Sequence, residues 1–220
     1  RKQGHIMENK KLSCIDCTVA NCNHQQKSYP DFCLTTNMDP NVLEDAMKLY
    51  ETDEENARSM IAAGEVEFDF YGQYTRVEEI MAYAKKMGFK KLGIATCVGL
   101  LSESRTLAKI LRYNGFEVYG IACKAGAQKK TAVGIPERFT GIGQNMCNPI
   151  LQAKILNEAK TELNIVMGLC VGHDSLFYKY SDALVTTGVT KDRVTGHNPV
   201  ATLYGADFYF KKRFFPPKED

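Results

Sequence analysis

Two sets of four cysteines carry most of the chemistry this sequence can offer. Cys97, Cys123, Cys147 and Cys170 recur at intervals of 26, 24 and 23 residues, close to the length of one strand–helix unit. They are distant in sequence but can be neighbours in space. Cys14, Cys17, Cys22 and Cys33 instead crowd the amino-terminal stretch with the spacing C-x2-C-x4-C-x10-C. Thiolates are soft metal ligands and strong nucleophiles, so both sets invite a metal or covalent chemistry.

Four thiols converging from Cys97, Cys123, Cys147 and Cys170 suit an iron–sulfur cluster, above all a four-iron four-sulfur one. Glycines at Gly99, Gly126 and Gly172 would let backbone amides approach the sulfurs. Two other readings stand beside it. Cysteine is a common strand-end residue and the set can be packing. Alternatively, one member is a nucleophile that needs no metal, either Cys147 at a helix amino terminus or Cys170 beside His173. His173, Asp174, Lys191, Asp192, Arg193 and His197 follow strand ends or edge loops. Singly each reads as a cap or a surface residue; together they form a polar rim to a cysteine pocket, with His173 suited to moving protons near neutral pH. No Walker loop is present, and Gly141-Ile-Gly143 lacks both the third glycine and the preceding strand of a dinucleotide fingerprint.

The elements that must position these residues follow from the hydrophobic pattern. Residues 7–38 are polar and cysteine-rich, too poor in apolar side chains to form a core, and such a segment needs a metal or a docking surface to hold one conformation. Its spacing suits tetrahedral zinc or a wrapped iron–sulfur cluster, and His24 is a possible substitute ligand. Helical patterns follow. Asp39-Pro40 opens a stretch with Val42, Leu43, Ala46, Met47 and Tyr50 at helical spacing, a second piece spans Asp53–Ala63 and stops at Gly64, and a third runs over Arg76–Met87.

Continuous β-prone runs at Lys91–Gly99, Glu117–Lys124 and Leu163–Asp174 each end in a cysteine. A capped helix from Ser102 lies between the first two, and Asn148-Pro149 starts a helix before the third. A short helix over Ser175–Tyr180, a fourth strand at Ala183–Val189 and an aromatic, basic tail at Phe208–Phe215 that packs back on the domain complete the pattern. The alternation predicts an α/β domain over 39–220 with a doubly wound, Rossmann-like, mostly parallel sheet. All the strand carboxyl ends then lie on one edge, where such folds bind ligands. The long glycine-bearing segment between Lys124 and Asn148 exceeds a routine connection and reads as functional or mobile.

The bounds are ordinary. Of 220 residues 44% are hydrophobic and 25% charged, as in globular proteins. Arg1–Ile6 read as an expression-vector remnant and are set aside with His5. Without Arg1 and Lys2, 26 basic residues face 26 acidic ones, which gives no electrostatic case for nucleic acid or an anionic membrane. With no apolar run near the roughly 18 residues of a membrane span and no signal-peptide pattern after Met7, the expected location is the cytoplasm. Thiols stay reduced there. The expected partner is an unspecified small molecule, and the oligomeric state is open.

Met146-Cys-Asn-Pro-Ile-Leu-Gln-Ala, Gly168-Leu-Cys-Val-Gly-His-Asp-Ser-Leu-Phe and Lys191-Asp-Arg-Val-Thr-Gly-His-Asn-Pro-Val-Ala-Thr-Leu-Tyr, with the amino-terminal cysteines, closely resemble the family called domain of unknown function 1847. The resemblance extends from Cys14 to Tyr204 and implies an uncharacterised, cysteine-rich, metal-binding bacterial protein. It names neither metal nor substrate. Three functional classes follow: a redox or sulfur-handling enzyme with its cluster at the strand ends, a non-catalytic metal-binding or sensor protein with a structural zinc knot, and a cysteine-nucleophile enzyme.

Overall fold

The structure, a computed structural model, describes residues 11–24 and 27–217; the remnant read at Arg1–Ile6 lies outside them. The chain divides at Ile61/Ala62 into two compact units. In the first, single 3-10 turns at Cys14–Asp16 and Asn21–Asn23 precede α1 (Leu34–Asn37), α2 (Pro40–Thr52) and the start of α3 (Glu54–Phe70). Asp39 caps α2 by accepting the Asn41 amide at 3.0 Å, with Pro40 at the first helical position. None of the described residues up to Ile61 is buried. This unit therefore has no apolar core among its described residues.

Gly64 does not end α3, contrary to the sequence expectation. The helix runs on to Phe70, and its two buried residues, Ala62 and Val66, lie one turn apart across the glycine. Interior glycine costs a helix about 1 kcal/mol relative to alanine, less than the roughly 1.5–3 kcal/mol from burying a valine side chain.

The second unit continues with α4 (Arg76–Lys86), β1 (Lys91–Thr96), α5 (Leu101–Tyr113), β2 (Glu117–Ala122), α6 (Pro149–Glu158), β3 (Leu163–Met167), α7 (His173–Tyr180), β4 (Leu184–Val189), α8 (Val200–Tyr204) and α9 (Lys211–Phe214). The strands form one all-parallel sheet in the order β2-β1-β3-β4, a Rossmann-like α/β fold. Alternation along the strands separates two cores. Leu92, Ile94, Leu163, Ile165 and Met167 pack with Ile80 and Ala84 of α4 and with Leu107 and Leu111 of α5. Ala95 and Val166 face the other way, against Ala153 and Leu156 of α6 and Phe177 of α7. The chain order thus reverses between β1 and β3, and the crevice at a reversal is where open parallel sheets bind ligands.

Between β3 and β4 the register slips: Val166 pairs with Thr187 but Met167 with Val189. Gly188 is the extra residue, and it brings Val189 onto the same core as Leu184, five positions earlier. An unbroken strand would place those two on opposite faces.

Two local expectations need correction. α7 starts at His173 rather than Ser175, because the Cys170 carbonyl accepts both the His173 and Asp174 amides, at 2.9 and 3.1 Å, and begins the turn earlier. The tail does not bury its aromatics. Phe208 and Tyr209 are exposed, while Phe210 packs locally against Phe214, beneath the Arg213 guanidinium, in the space Gly205 leaves by having no side chain. Among the described residues no helix is long and apolar enough to cross a membrane.

Candidate thiolate site at the strand ends

Each cysteine of the second set is delivered by a different element to the carboxyl edge of the sheet. Cys97 directly follows β1, its amide donating to the Met167 carbonyl at 3.1 Å. Cys123 directly follows β2, its amide donating to the Thr96 carbonyl at 2.8 Å. Cys147 precedes Asn148, whose side chain caps α6 by accepting the Leu151 amide at 3.0 Å. Cys170 lies in the turn between β3 and α7. Cys97 and Cys123 are buried, and Cys147 packs against the core cluster that contains them. All eight cysteines are free thiols.

The segment between Lys124 and Asn148, expected to be irregular, is a folded excursion. It holds 3-10 turns at Lys130–Val133 and Glu137–Ile142 and closes by an antiparallel bridge between Lys129 and Asn145. At its base the Asn148 amide donates to the Cys123 carbonyl at 2.7 Å, and the Lys124 ammonium donates to the Asn145 carbonyl. The two ends, carrying Cys123 and Cys147, are thereby held together.

These contacts set the charges. The Cys123 thiol and the His173 imidazole both lie against the Cys147 sulfur, close enough to hydrogen-bond to it. Cys147 is drawn well below the usual thiol range, to about 4, by the Cys123 hydrogen bond first and His173 next, with the Lys124 ammonium adding to both. Cys123 is pushed up because it holds its proton against Cys147 and is buried. His173 is raised by the same contact with Cys147, against its own partial burial. The side chains thus describe a thiolate–imidazolium pair with a second thiol donating into it.

Arg193 donates from Nη2 to the Cys170 sulfur at 3.1 Å, and its guanidinium is raised by that contact. The Val98 amide points at the Cys123 sulfur from 3.5 Å.

The other rim residues are divided between this site and their own turns. Lys191 lies with its aliphatic stem beside Gly168. Asp174 accepts the Gly172 and Ser175 amides at 3.0 and 2.8 Å, fixing the turn that presents His173. The Asp192 carboxyl is lowered by the Thr195 side chain first and then by the Thr195 and Val194 amides it accepts, and His197 closes the same loop by accepting the Asp192 amide at 3.1 Å. Asp192 and His197 are therefore committed to loop geometry. Two residues of the site were not expected from sequence. Lys124 had a signal, a cation immediately after a strand-end cysteine. Gln152, fully buried on α6, donates from Nε2 to the carbonyls of Thr96 and Ile121 at 3.1 and 2.8 Å and ties the ends of β1 and β2 together. A glutamine among helical residues carries no such message.

The donor chemistry of both cysteine sets suits zinc or iron, but the placement does not form a cradle. Among the described residues no three His, Cys, Asp or Glu side chains are gathered to hold an ion. In the strand-end set Cys170 is taken by Arg193, and Cys123 and Cys147 lie against each other.

The fold is a parallel α/β sheet whose carboxyl edge carries Cys97, Cys123, Cys147, Cys170 and His173. The chain belongs to the family described as Protein of unknown function (DUF1847), which matches residues 33–187. That span includes Cys33, Cys97, Cys123, Cys147, Cys170 and His173, but not Cys14, Cys17, Cys22, Lys191, Arg193 or His197. An uncharacterized protein of the archaeon Methanocaldococcus jannaschii is 46% identical over 159 residues, 72% of this chain and 81% of its own length. The family thus reaches beyond the bacteria that the resemblance implied. A cobalamin-binding protein from Desulfitobacterium hafniense DCB-2 aligns at 14% identity over 67% of this chain and 75% of its own, with a TM-score of 0.25. A likeness that slight supports no conclusion about fold or ligand.

Proposed function

We propose that the strand-end site is a thiolate centre that forms a covalent bond to an electrophilic small molecule, with Cys147 as nucleophile and His173 as its proton partner. One observation carries this reading: Cys147, beside the amino terminus of α6 and packed on the cluster that holds Cys123, has the Cys123 thiol and the His173 imidazole against its sulfur. A thiolate made at low pH by a charged partner is the species that attacks, and the adjacent imidazolium can protonate a leaving group. The test is alkylation by iodoacetamide at pH 6, followed by peptide mapping. Cys147 should label well ahead of the more exposed Cys14. Labelling of Cys147 no faster than that of Cys14 rejects the assignment.

A second reading concerns Cys14, Cys17, Cys22 and Cys33, and the absence of any buried residue up to Ile61 among the described residues favours it. A segment without a core gains its fold from a ligand, and a soft metal, zinc or iron, would draw together four thiols that stand ungathered without it. Thr35 already lowers the Cys33 thiol by hydrogen bonding. Elemental analysis after anaerobic purification is expected to give about one metal site per chain by tetrahedral or cluster stoichiometry, lost in Cys14→Ser/Cys17→Ser. A metal-free chain whose stability is indifferent to chelator and to those substitutions rejects it.

A further inference from the structure

We propose that Cys123 is the resolving partner of Cys147, so that the two form a dithiol–disulfide couple able to reduce a low-molecular-weight disulfide. The inference rests on the nucleophile reading above and goes beyond it by naming a second sulfur, a substrate class and a product.

Three geometric facts carry it. Cys123 is 2% exposed, so a substrate cannot meet it, yet its thiol lies against the half-buried Cys147, which a substrate can reach. The backbones of the two are clamped, because the Asn148 amide, next to Cys147, donates to the Cys123 carbonyl at 2.7 Å. Finally, the Val98 amide is aimed at the Cys123 sulfur, ready to stabilise negative charge as the thiol gives up its proton. A cysteine present only for packing needs neither the clamp nor the amide.

The chemistry balances in two steps. The Cys147 thiolate attacks one sulfur of a disulfide RSSR, the S–S bond breaks, and the departing thiolate takes the His173 proton. This yields a Cys147–S–S–R mixed disulfide, one RSH and neutral His173. Cys147 then no longer accepts the Cys123 hydrogen bond and no longer repels a second thiolate. The Cys123 sulfur attacks the Cys147 sulfur and expels RS⁻, and the thiol proton goes to that leaving group as a second RSH. The pair is oxidised by two electrons to the Cys123–Cys147 disulfide, and the substrate is reduced to two thiols. A dithiol reductant restores the resting state.

The position of Cys147 against Cys97 and Cys170 also matters. Cys97 is buried, and Cys170 is held by Arg193. Neither touches Cys147 through a hydrogen bond as Cys123 does, so resolution by Cys123 is the specific expectation.

The experiment uses the full chain, reduced and then treated with oxidised glutathione, quenched with acid and examined by intact mass and peptide mapping. In the peptide map, wild type is expected to carry no glutathione on Cys147 and to yield a Cys123–Cys147 cross-linked peptide two hydrogens lighter than the reduced pair, while Cys123→Ser accumulates a glutathione adduct on Cys147. A wild type that stops at the mixed disulfide overturns the couple and leaves the nucleophile reading intact. No modification of Cys147 in wild type removes the nucleophile reading itself. A cross-link from Cys147 to Cys97 or Cys170 overturns the assignment of Cys123. The wild-type map decides these outcomes even if Cys123→Ser fails to fold.

Discussion

Gly168 joins the sheet core to the turn that presents Cys170 and His173, and replacing it with alanine tests that joint. Its φ is +63°, and a Cβ built there lies 2.1 Å from Leu100 Cδ1. The left-handed conformation costs a residue with a Cβ about 1–2 kcal/mol. Leu100 is 3% exposed and has nowhere to retreat, so overpacking adds about 1–3 kcal/mol. Gly168→Ala should therefore lose about 2–5 kcal/mol in urea unfolding followed by circular dichroism. Gly134→Ala is the control, since Gly134 is left-handed, with φ +80° and ψ 9°, and has nothing within 4 Å of its Cβ position. It should lose only the conformational part, about 1–2 kcal/mol. Because both positions have positive φ and only Gly168 meets a neighbour, the difference between them isolates the Leu100 contact. Equal losses, within about 0.5 kcal/mol, would refute the packing argument. The alkylation rate of Cys147 should fall further in Gly168→Ala than in the control.

Further outcomes follow from the site and the sheet. The rate of Cys147 alkylation should rise as pH climbs through about 4 and be near its plateau by neutrality. In His173→Gln the rise should move to higher pH, because the imidazolium is one cause of the lowering; an unmoved profile removes His173 from the pair. Gln152→Leu deletes two buried hydrogen bonds to strand-end carbonyls and should destabilise by about 1–3 kcal/mol, read as a lowered urea midpoint. Gly188→Ala should cost more than deletion of Gly188. Its Cβ would meet Met167 Sδ at 2.8 Å and Ile165 Cγ2 at 2.9 Å, whereas deletion leaves Val189 opposite Met167 in an unbroken ladder; the two urea midpoints rank them.

The parallel core was legible because its signals were local. Leu92, Ile94, Leu163 and Ile165 sit in short apolar runs bounded by glycine or polar residues, and Asn148-Pro149 marks a helix start that the hydrogen bond to Leu151 bears out. What stayed hidden depends on packing or on long-range hydrogen bonds. The passage of α3 through Gly64 was decided by the burial of Ala62 and Val66, which no window of sequence displays. The contacts at Cys147 arise from residues more than twenty positions away on either side, and the link between Arg193 and Cys170 spans 23 residues. The exposed tail aromatics misled for the opposite reason: Phe208 and Tyr209 look like core residues, but nothing in their pattern says which surface would cover them.

The excursion between Cys123 and Cys147 has a consequence for how this protein can vary over time. Its two ends are hydrogen-bonded to each other at Cys123 and Asn148, and again at Gln128 with Met146 and at Lys130 with Gln144. Residues inserted or lost beyond those rungs leave the rungs in place and so need not displace either sulfur. The entropy of closing a flexible loop grows slowly, by about 0.6 kcal/mol for each doubling of its length. Descendants of one ancestor are therefore free to lengthen, shorten or rewrite the tip around Gly134 to Gly143 while the sulfur pair beneath it keeps its spacing. Divergence of preference can accumulate at that tip without any change in the reacting atoms.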